Sequence, residues 1–246
     1  MPVATACLAA MLTAAPQAVA QHQDSGVVAH HHGVLYPLLI GSTAILVTGL
    51  ADNSIRGAMQ HSGPEVERVG VAVSHWSPRV AIGIGVATLG VGMATGSPEL
   101  TRTGRDALVA MSVAGVLTVA VKTVIGRERP GEPRTDADAF EPFTFETEDN
   151  SFPSGHTSQA FALAAVIAGH THNRFLKVWA YGCAGAVGVA RIAADRHFAS
   201  DVVAGAIVGT IVGHRVVSFF GRHDSHLGMM PFVARGQFGL VLERAF

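Results

Sequence analysis

Six stretches nearly free of charge dictate what this chain can become: 34–50, 80–96, 106–125, 157–170, 176–193 and 197–220. Each is too long for a typical strand and suits a helix of several turns. Ser97-Pro98 breaks the chain after the second, Thr103-Gly104 reads as a turn before the third, and residues 171–175 join the fourth to the fifth. The pattern predicts an all-α fold: a helical bundle of about six helices. A shorter helix is expected over 65–73, behind a Pro64 suited to a first helical position. Gly205 and Gly209 are four apart, hence on one face, and predict close helix packing. Only the tail departs, alternating apolar and polar over 239–246 as a strand or extended arm would.

Within the 246 residues no internal linker divides the apolar runs, so 34–225 reads as one helical domain and 226–246 as a tail. Residues 1–20 have the apolar core and the Ala18-Val19-Ala20 small-x-small site of a signal sequence, without the usual positive start. Its removal would take Cys7 and leave Cys183 alone. Residues 21–33 form a polar leader; its His22, His30, His31 and His32 lack acidic or Cys partners at ligand spacing and read as solvated. Charged residues are 14% and the net charge is −1, which argues against a nucleic-acid partner. Mean hydropathy is +0.36, and the longer runs reach the ~17–20 residues a membrane span requires. Arg102, Arg105, His170, Arg174 and Lys177 fall at one end of the expected bundle, which the positive-inside rule assigns to the cytoplasm. The expectation is a bacterial inner-membrane protein whose other end faces the periplasm. A cleaved leader followed by six spans would invert that orientation, and a soluble periplasmic bundle is the alternative.

At that other end the charged residues gather. Pro153 cannot continue a helix behind it, and Gly155 permits a tight turn, so Ser154, Gly155 and His156 open the helix that follows. Free amides and the positive dipole end make such a place an anion site. Lys122 lies in the last turn of the third helix, with Arg129-Pro130 beyond it; Arg191 lies near the end of the fifth, and His197 and Asp201 open the sixth. Antiparallel helices with short connections bring all of these together.

The set fits phosphoryl transfer through a covalent enzyme intermediate. Lys122, Arg129 and Arg191 neutralise a phosphate dianion, the two arginines with a planar fork that matches paired oxygens. Ser154 and the Gly155 N–H add neutral donors. His197 and Asp201, four apart, share a helix face. The carboxylate accepts from one ring nitrogen and leaves the other as nucleophile. His156 protonates the leaving oxygen and then activates water. Singly, each has a plainer reading: a snorkelling lysine, a helix-capping arginine, a surface ion pair, a common turn. Their joint order along the chain favours one site. No metal or cofactor is expected. Between the site motifs, residues 131–149 hold seven acidic residues and only Arg134 as a base. This loop is expected to overhang the entrance, with Phe140, Phe143 and Phe145 placed to hold an apolar tail.

Lys122-x6-Arg129-Pro130, Pro153-Ser154-Gly155-His156 and Arg191-x5-His197-x3-Asp201 together resemble the three-part signature of the type 2 phosphatidic acid phosphatases. That superfamily also holds bacterial class A acid phosphatases and vanadium haloperoxidases. The resemblance runs from Lys122 to about Phe220. It implies a metal-independent phosphatase on a helical bundle, acting on a phosphate monoester or pyrophosphate; with the membrane expectation, the substrate expected is a lipid phosphate. It implies His197 as nucleophile, Asp201 as its partner, His156 as acid and base, and phosphate binding by Lys122, Arg129, Ser154, Gly155, His156 and Arg191. A vanadate-dependent haloperoxidase is the other enzyme class the same site would suit. One position departs from the signature: Ala190 stands where a serine usually precedes Arg191, removing a hydroxyl beside the phosphate.

Overall fold

The computed structural model describes residues 32–130, 139–144, 150–223, 228–234 and 237–243. The expected signal sequence, most of the polar leader, and Phe145, Glu146, Glu148 and Asp149 of the acidic loop lie outside the described residues. The chain divides into two units between residues 38 and 39. The helices are α1 (His32–Leu50), α2 (Asp52–Gln60), α3 (Pro64–Thr95), α4 (Pro98–Ile125), α5 (Gly155–His170), α6 (Arg174–Ala193) and α7 (Ala199–His223). The tail forms an antiparallel hairpin of β1 (Gly228–Ala234) and β2 (Gln237–Glu243).

Two expectations are corrected. The short helix at 65–73 and the apolar run at 80–96 are one 32-residue helix, α3, which continues through Pro78. The third helix begins at Pro98, where the Ser97 hydroxyl caps the Leu100 N–H, and it runs through Thr103-Gly104 without a turn. Gly104 is a packing residue: a Cβ there would overlap the Leu89 backbone of α3.

α5 is the buried axis, carrying Ala162, Leu163, Ala164, Ala165 and Val166 into the core. The core around it is built largely of alanine, with Ala107, Ala110 and Ala114 from α4. Small side chains let backbones approach, which is how helices associate where lipid removes the drive to escape water. α7 carries this furthest. A Cβ at Gly205 would lie 2.6 Å from the Ser154 carbonyl oxygen, and one at Gly213 would lie 2.6 Å from that of Ala162. At Gly209 it would overlap the Ser158 carbonyl. The Gly205–Gly209 expectation therefore corresponds to direct backbone contact between α5 and α7, and that contact fixes Ser154 beside the start of α7.

The opposite end is pinned by Asp106, buried on α4. It accepts from His170 Nε2 on α5 at 2.8 Å and from Arg105, whose guanidinium lies 4.1 Å from the Phe220 ring centre of α7. α3, α4, α6 and α7 are each long and apolar enough to cross a bilayer. Their outward faces leave Val86, Val116, Val178 and Trp179 more than half exposed, the surface of a membrane protein rather than of a soluble bundle.

Candidate active site

Two segments at the ends of α4 and α5 are tied to each other. Ser151 N–H donates to the Arg127 carbonyl at 2.6 Å, and Ser151 Oγ donates to that of Glu128 at 3.0 Å. Gly126 ends α4 in the left-handed region (φ 60°), and a Cβ there would overlap the Glu141 carbonyl. Asn150 Nδ2 donates to the Lys122 carbonyl at 3.1 Å, while Lys122 Nζ donates to the Asn150 carbonyl. Lys122 is therefore buried and turned inward, and the snorkelling reading does not describe it.

Ser154 is the N-cap of α5, with Gly155 as the first helical residue. The turn is made by Pro153-Ser154; Gly155 has no left-handed φ, and a Cβ on it would meet only Thr118 Cγ2 at 3.5 Å, ordinary contact. The Ser154 N–H donates to the Asp201 carbonyl at 3.0 Å. Its hydroxyl accepts from Thr157 Oγ1 at 2.9 Å, leaving its own proton to donate. The first amides of α5 have no intrahelical acceptor and supply the anion-binding character of a helix start.

His197 and Asp201 do not share a helix face as expected. His197 precedes α7, in the connection from α6, and Asp201 lies in the first turn. The Phe198 N–H donates to Asp201 Oδ2 at 2.8 Å, the N-cap to N3 arrangement of a capping box, and this takes the helical position His197 would have needed. His197 Nδ1 lies 3.7 Å from Asp201 Oδ2, longer than a hydrogen bond, and the two form an ion pair only when the ring is protonated. Both residues are buried. Arg191 is buried in the last turn of α6, and its Nε has no hydrogen-bond partner among the described residues. Ala190 is buried too, its carbonyl accepting from Ser74 Oγ of α3 at 3.5 Å.

These side chains share one electrostatic field. His156 feels Arg191, His197, Arg129 and Lys122, and His197 feels Asp201, Arg191 and Lys122. Burial, then the cations, hold the His156 imidazole down to about 3. Burial likewise lowers His197, to about 4, with Asp201 opposing and Arg191 and Lys122 assisting. Both rings are therefore neutral at neutral pH. That suits a nucleophile; a proton donor there requires an anion to offset the cations.

Several site residues escaped the sequence reading. Arg127 donates from one Nη to Asp201 Oδ1 at 2.7 Å and to Ser200 Oγ at 2.7 Å, and from the other to Asp52 Oδ2 at 2.8 Å. Asp52 also accepts from the Ser200 N–H at 2.9 Å and the Ser200 hydroxyl at 2.5 Å. Arg56 and Gln60 of α2 hold Asp195, in the connection that carries His197. The available signal was Asp52 itself, a carboxylate directly after an apolar run in a chain poor in charge. In the acidic loop, Phe140 lies with its ring centre 5.7 Å from the Arg127 guanidinium, and Phe143 is 73% exposed. Beside the site, a groove between α4 and α5 is lined by Met111, Ser112, Gly115, Val116, Val119 and Gln159. Its upper residues, Val119 and Gln159, are each three residues from Lys122 and His156, so it ends about one helical turn from the site.

The class defined here is a membrane helical bundle with a cation-rich pocket at one end. Residues 104–224 match the sequence pattern of the PAP2 superfamily. It is 38% identical over 110 residues to a lipid A 1-phosphatase from Porphyromonas gingivalis, an alignment covering 44% of this chain and 21% of that protein. The chain thus spans about a fifth of the length of that relative. Two crystal structures share the fold. LpxE from Aquifex aeolicus has 19% identity and a TM-score of 0.50, covering 68% of this chain and 94% of that one. A transmembrane PAP2-type phosphatidylglycerolphosphate phosphatase from Bacillus subtilis has 20% identity and a TM-score of 0.54, covering 76% and 97%.

Proposed function

We propose that this protein hydrolyses a phosphate monoester or pyrophosphate borne by a membrane lipid, through a phosphohistidine on His197 and without a metal. The observation that carries the reading is His197 itself: a buried, neutral imidazole whose Nδ1 faces Asp201 among Lys122, Arg129 and Arg191. With Nδ1 turned to the carboxylate, Nε2 is left to attack phosphorus. The N–P bond forms as the ester P–O bond breaks, and His156 gives its proton to the leaving oxygen. His156 then removes a proton from water; that oxygen attacks phosphorus, the N–P bond breaks, and inorganic phosphate leaves. Lys122, Arg129, Arg191, the Ser154 hydroxyl and the first α5 amides hold the phosphoryl oxygens and the charge of the five-coordinate state.

A lipid substrate is supported by the four apolar helices and by the groove between α4 and α5, which opens to the lipid-facing surface next to the site. The names of the similar proteins point the same way. The basic residues Arg102, Arg105, Arg174 and Lys177, at the end remote from the site, favour a periplasm-facing pocket. A substrate panel on purified protein tests the reading, comparing lipid phosphates, lipid pyrophosphates and a soluble aryl phosphate, with His197→Ala as blank. Phosphate release that persists in His197→Ala refutes it.

A further inference from the structure

The geometry points to Arg127, Asp52 and Ser200 as positioning residues that hold Asp201 in the orientation His197 needs. This rests on the phosphohistidine reading and adds to it a set of residues outside the signature. Asp201 uses Oδ1 for Arg127 and Oδ2 for the Phe198 N–H, so the carboxylate plane is fixed from two directions before His197 is considered. Arg127 is itself fixed: it spans Asp201 and Asp52 with separate nitrogens, and its guanidinium stacks 4.2 Å from the Phe198 ring centre. Asp52 closes the ring by gripping both the backbone and the side chain of Ser200, the residue before Asp201.

Three chain segments far apart in sequence are therefore joined in one ring of hydrogen bonds, from Asp201 through Arg127 and Asp52 to Ser200. Arg127, Asp52, Ser200 and Asp201 are all buried. A buried charge left without its partner is costly, so the set holds together or fails together. A bidentate guanidinium is suited to this task, since its fork fixes direction as well as distance. Lysine would supply the charge but one point of contact.

The arrangement also places a positive charge behind the carboxylate that faces His197, and a second carboxylate behind that charge. His197 is otherwise faced by Arg191 from α6, Lys122 from α4 and His156 from α5, with Arg129 acting on His156. Arg127 acts on Asp201 directly, and by Coulomb's law both buried charges are expected to act on the imidazole beyond it. Arg127 opposes protonation of His197 and Asp52 favours it, so their neutralisation shifts the ring in opposite directions.

The test is the pH dependence of kcat/KM for a soluble aryl phosphate, measured on purified full-length Arg127→Gln, Arg127→Lys, Asp52→Asn and Ser200→Ala. Once the second ionisation of the aryl phosphate, at about 6, is divided out of the profile, the remaining acid limb reports His197, which must be neutral to attack. In Arg127→Gln the limb moves to higher pH by about one unit, the order expected when a unit charge some residues' width away is removed. In Asp52→Asn it moves lower. Arg127→Lys returns the limb towards wild type while kcat stays down by about 100-fold, because orientation is lost and charge is kept. Ser200→Ala lowers kcat with little change in KM. Loss of activity in Arg127→Gln and Asp52→Asn with unmoved limbs overturns the proposal and leaves these residues as packing. If Arg127→Gln does not fold, the direction of the Asp52→Asn shift decides. Failure of the underlying mechanism reads differently, as turnover that survives in His197→Ala.

Discussion

Replacing Gly205 by alanine tests whether the α5–α7 contact sets the geometry of the site. The new Cβ would lie 2.6 Å from the Ser154 carbonyl oxygen, 3.2 Å from Thr157 Cβ and 3.3 Å from Ser158 Oγ. Ordinary contact begins near 3.4 Å, so the backbones must part by about 0.8 Å. The Ser154 N–H to Asp201 carbonyl bond, now 3.0 Å, would stretch to about 3.8 Å and be lost. Overpacking costs about 1–3 kcal/mol and the bond about 1 kcal/mol. Against this, alanine gains up to about 1 kcal/mol in helix propensity. The net expectation is a destabilisation of about 1–4 kcal/mol. The catalytic effect is larger, since a displacement approaching 1 Å between Ser154–His156 and His197–Asp201 costs about 100-fold in rate. Turnover of an aryl phosphate and thermal unfolding, both in detergent, measure the two. Gly182→Ala on α6 is the control: its Cβ meets nothing within 4 Å, so activity holds and stability rises by up to about 1 kcal/mol. A Gly205→Ala variant with wild-type turnover and melting would refute the claim that this contact sets the site.

The remaining predictions concern protons and substrate. Because burial and the surrounding cations hold His197 to about 4, its neutral form is present above that value and lost as pH falls through it, so kcat/KM, once the ester's own second ionisation at about 6 is divided out, should fall on an acid limb near pH 4; a corrected limb near 6.5 would contradict this environment. His156→Ala should cost about 100- to 10,000-fold on an alkyl phosphate, whose leaving oxygen needs the proton. The loss should be smaller on 4-nitrophenyl phosphate, and equal losses on both would remove His156 from the donor role. Val116→Trp, at a 69% exposed position lining the groove between α4 and α5, should lower turnover of a long-chain lipid phosphate at least about tenfold. Turnover of a soluble ester should stay within about twofold, and parallel changes would take the groove out of lipid binding.

The bundle was legible because its helices depend on local pattern: apolar runs bounded by caps, and small residues four apart on α7. Lys122, Arg129, Ser154, His156, Arg191, His197 and Asp201 could be named because each sits at a helix end, where short connections limit where it can go. What escaped depends on packing. Glu65, Glu67, Arg68 and Pro78 made α3 look interrupted, yet the acids occupy its first turn and the helix runs on through the proline. Gly104 looked like a turn because glycine serves turns and close helix crossings alike, and only the neighbouring helix distinguishes them. Asp52 and Ser200 are 148 residues apart, beyond any local pattern. The spacing of His197 and Asp201 was read as a helix face; the Phe198 cap instead begins the helix after the histidine.

Charge balance explains why a pocket this positive is suited to its expected substrate. Lys122, Arg129, Arg191 and Arg127 bring four positive charges, and Asp52 and Asp201 return two negative ones, with both histidines neutral. The surplus of two equals the charge of a phosphate monoester dianion. Binding such a dianion offsets the cations that, after burial, hold His156 unprotonated, so the substrate itself favours the proton that its leaving oxygen will take. A phosphodiester, with a single negative charge, leaves half the surplus uncompensated and His156 less able to hold that proton. It is therefore penalised twice, in binding and in the chemical step. Discrimination against diesters then follows from the ionisation of the pocket as well as from its shape.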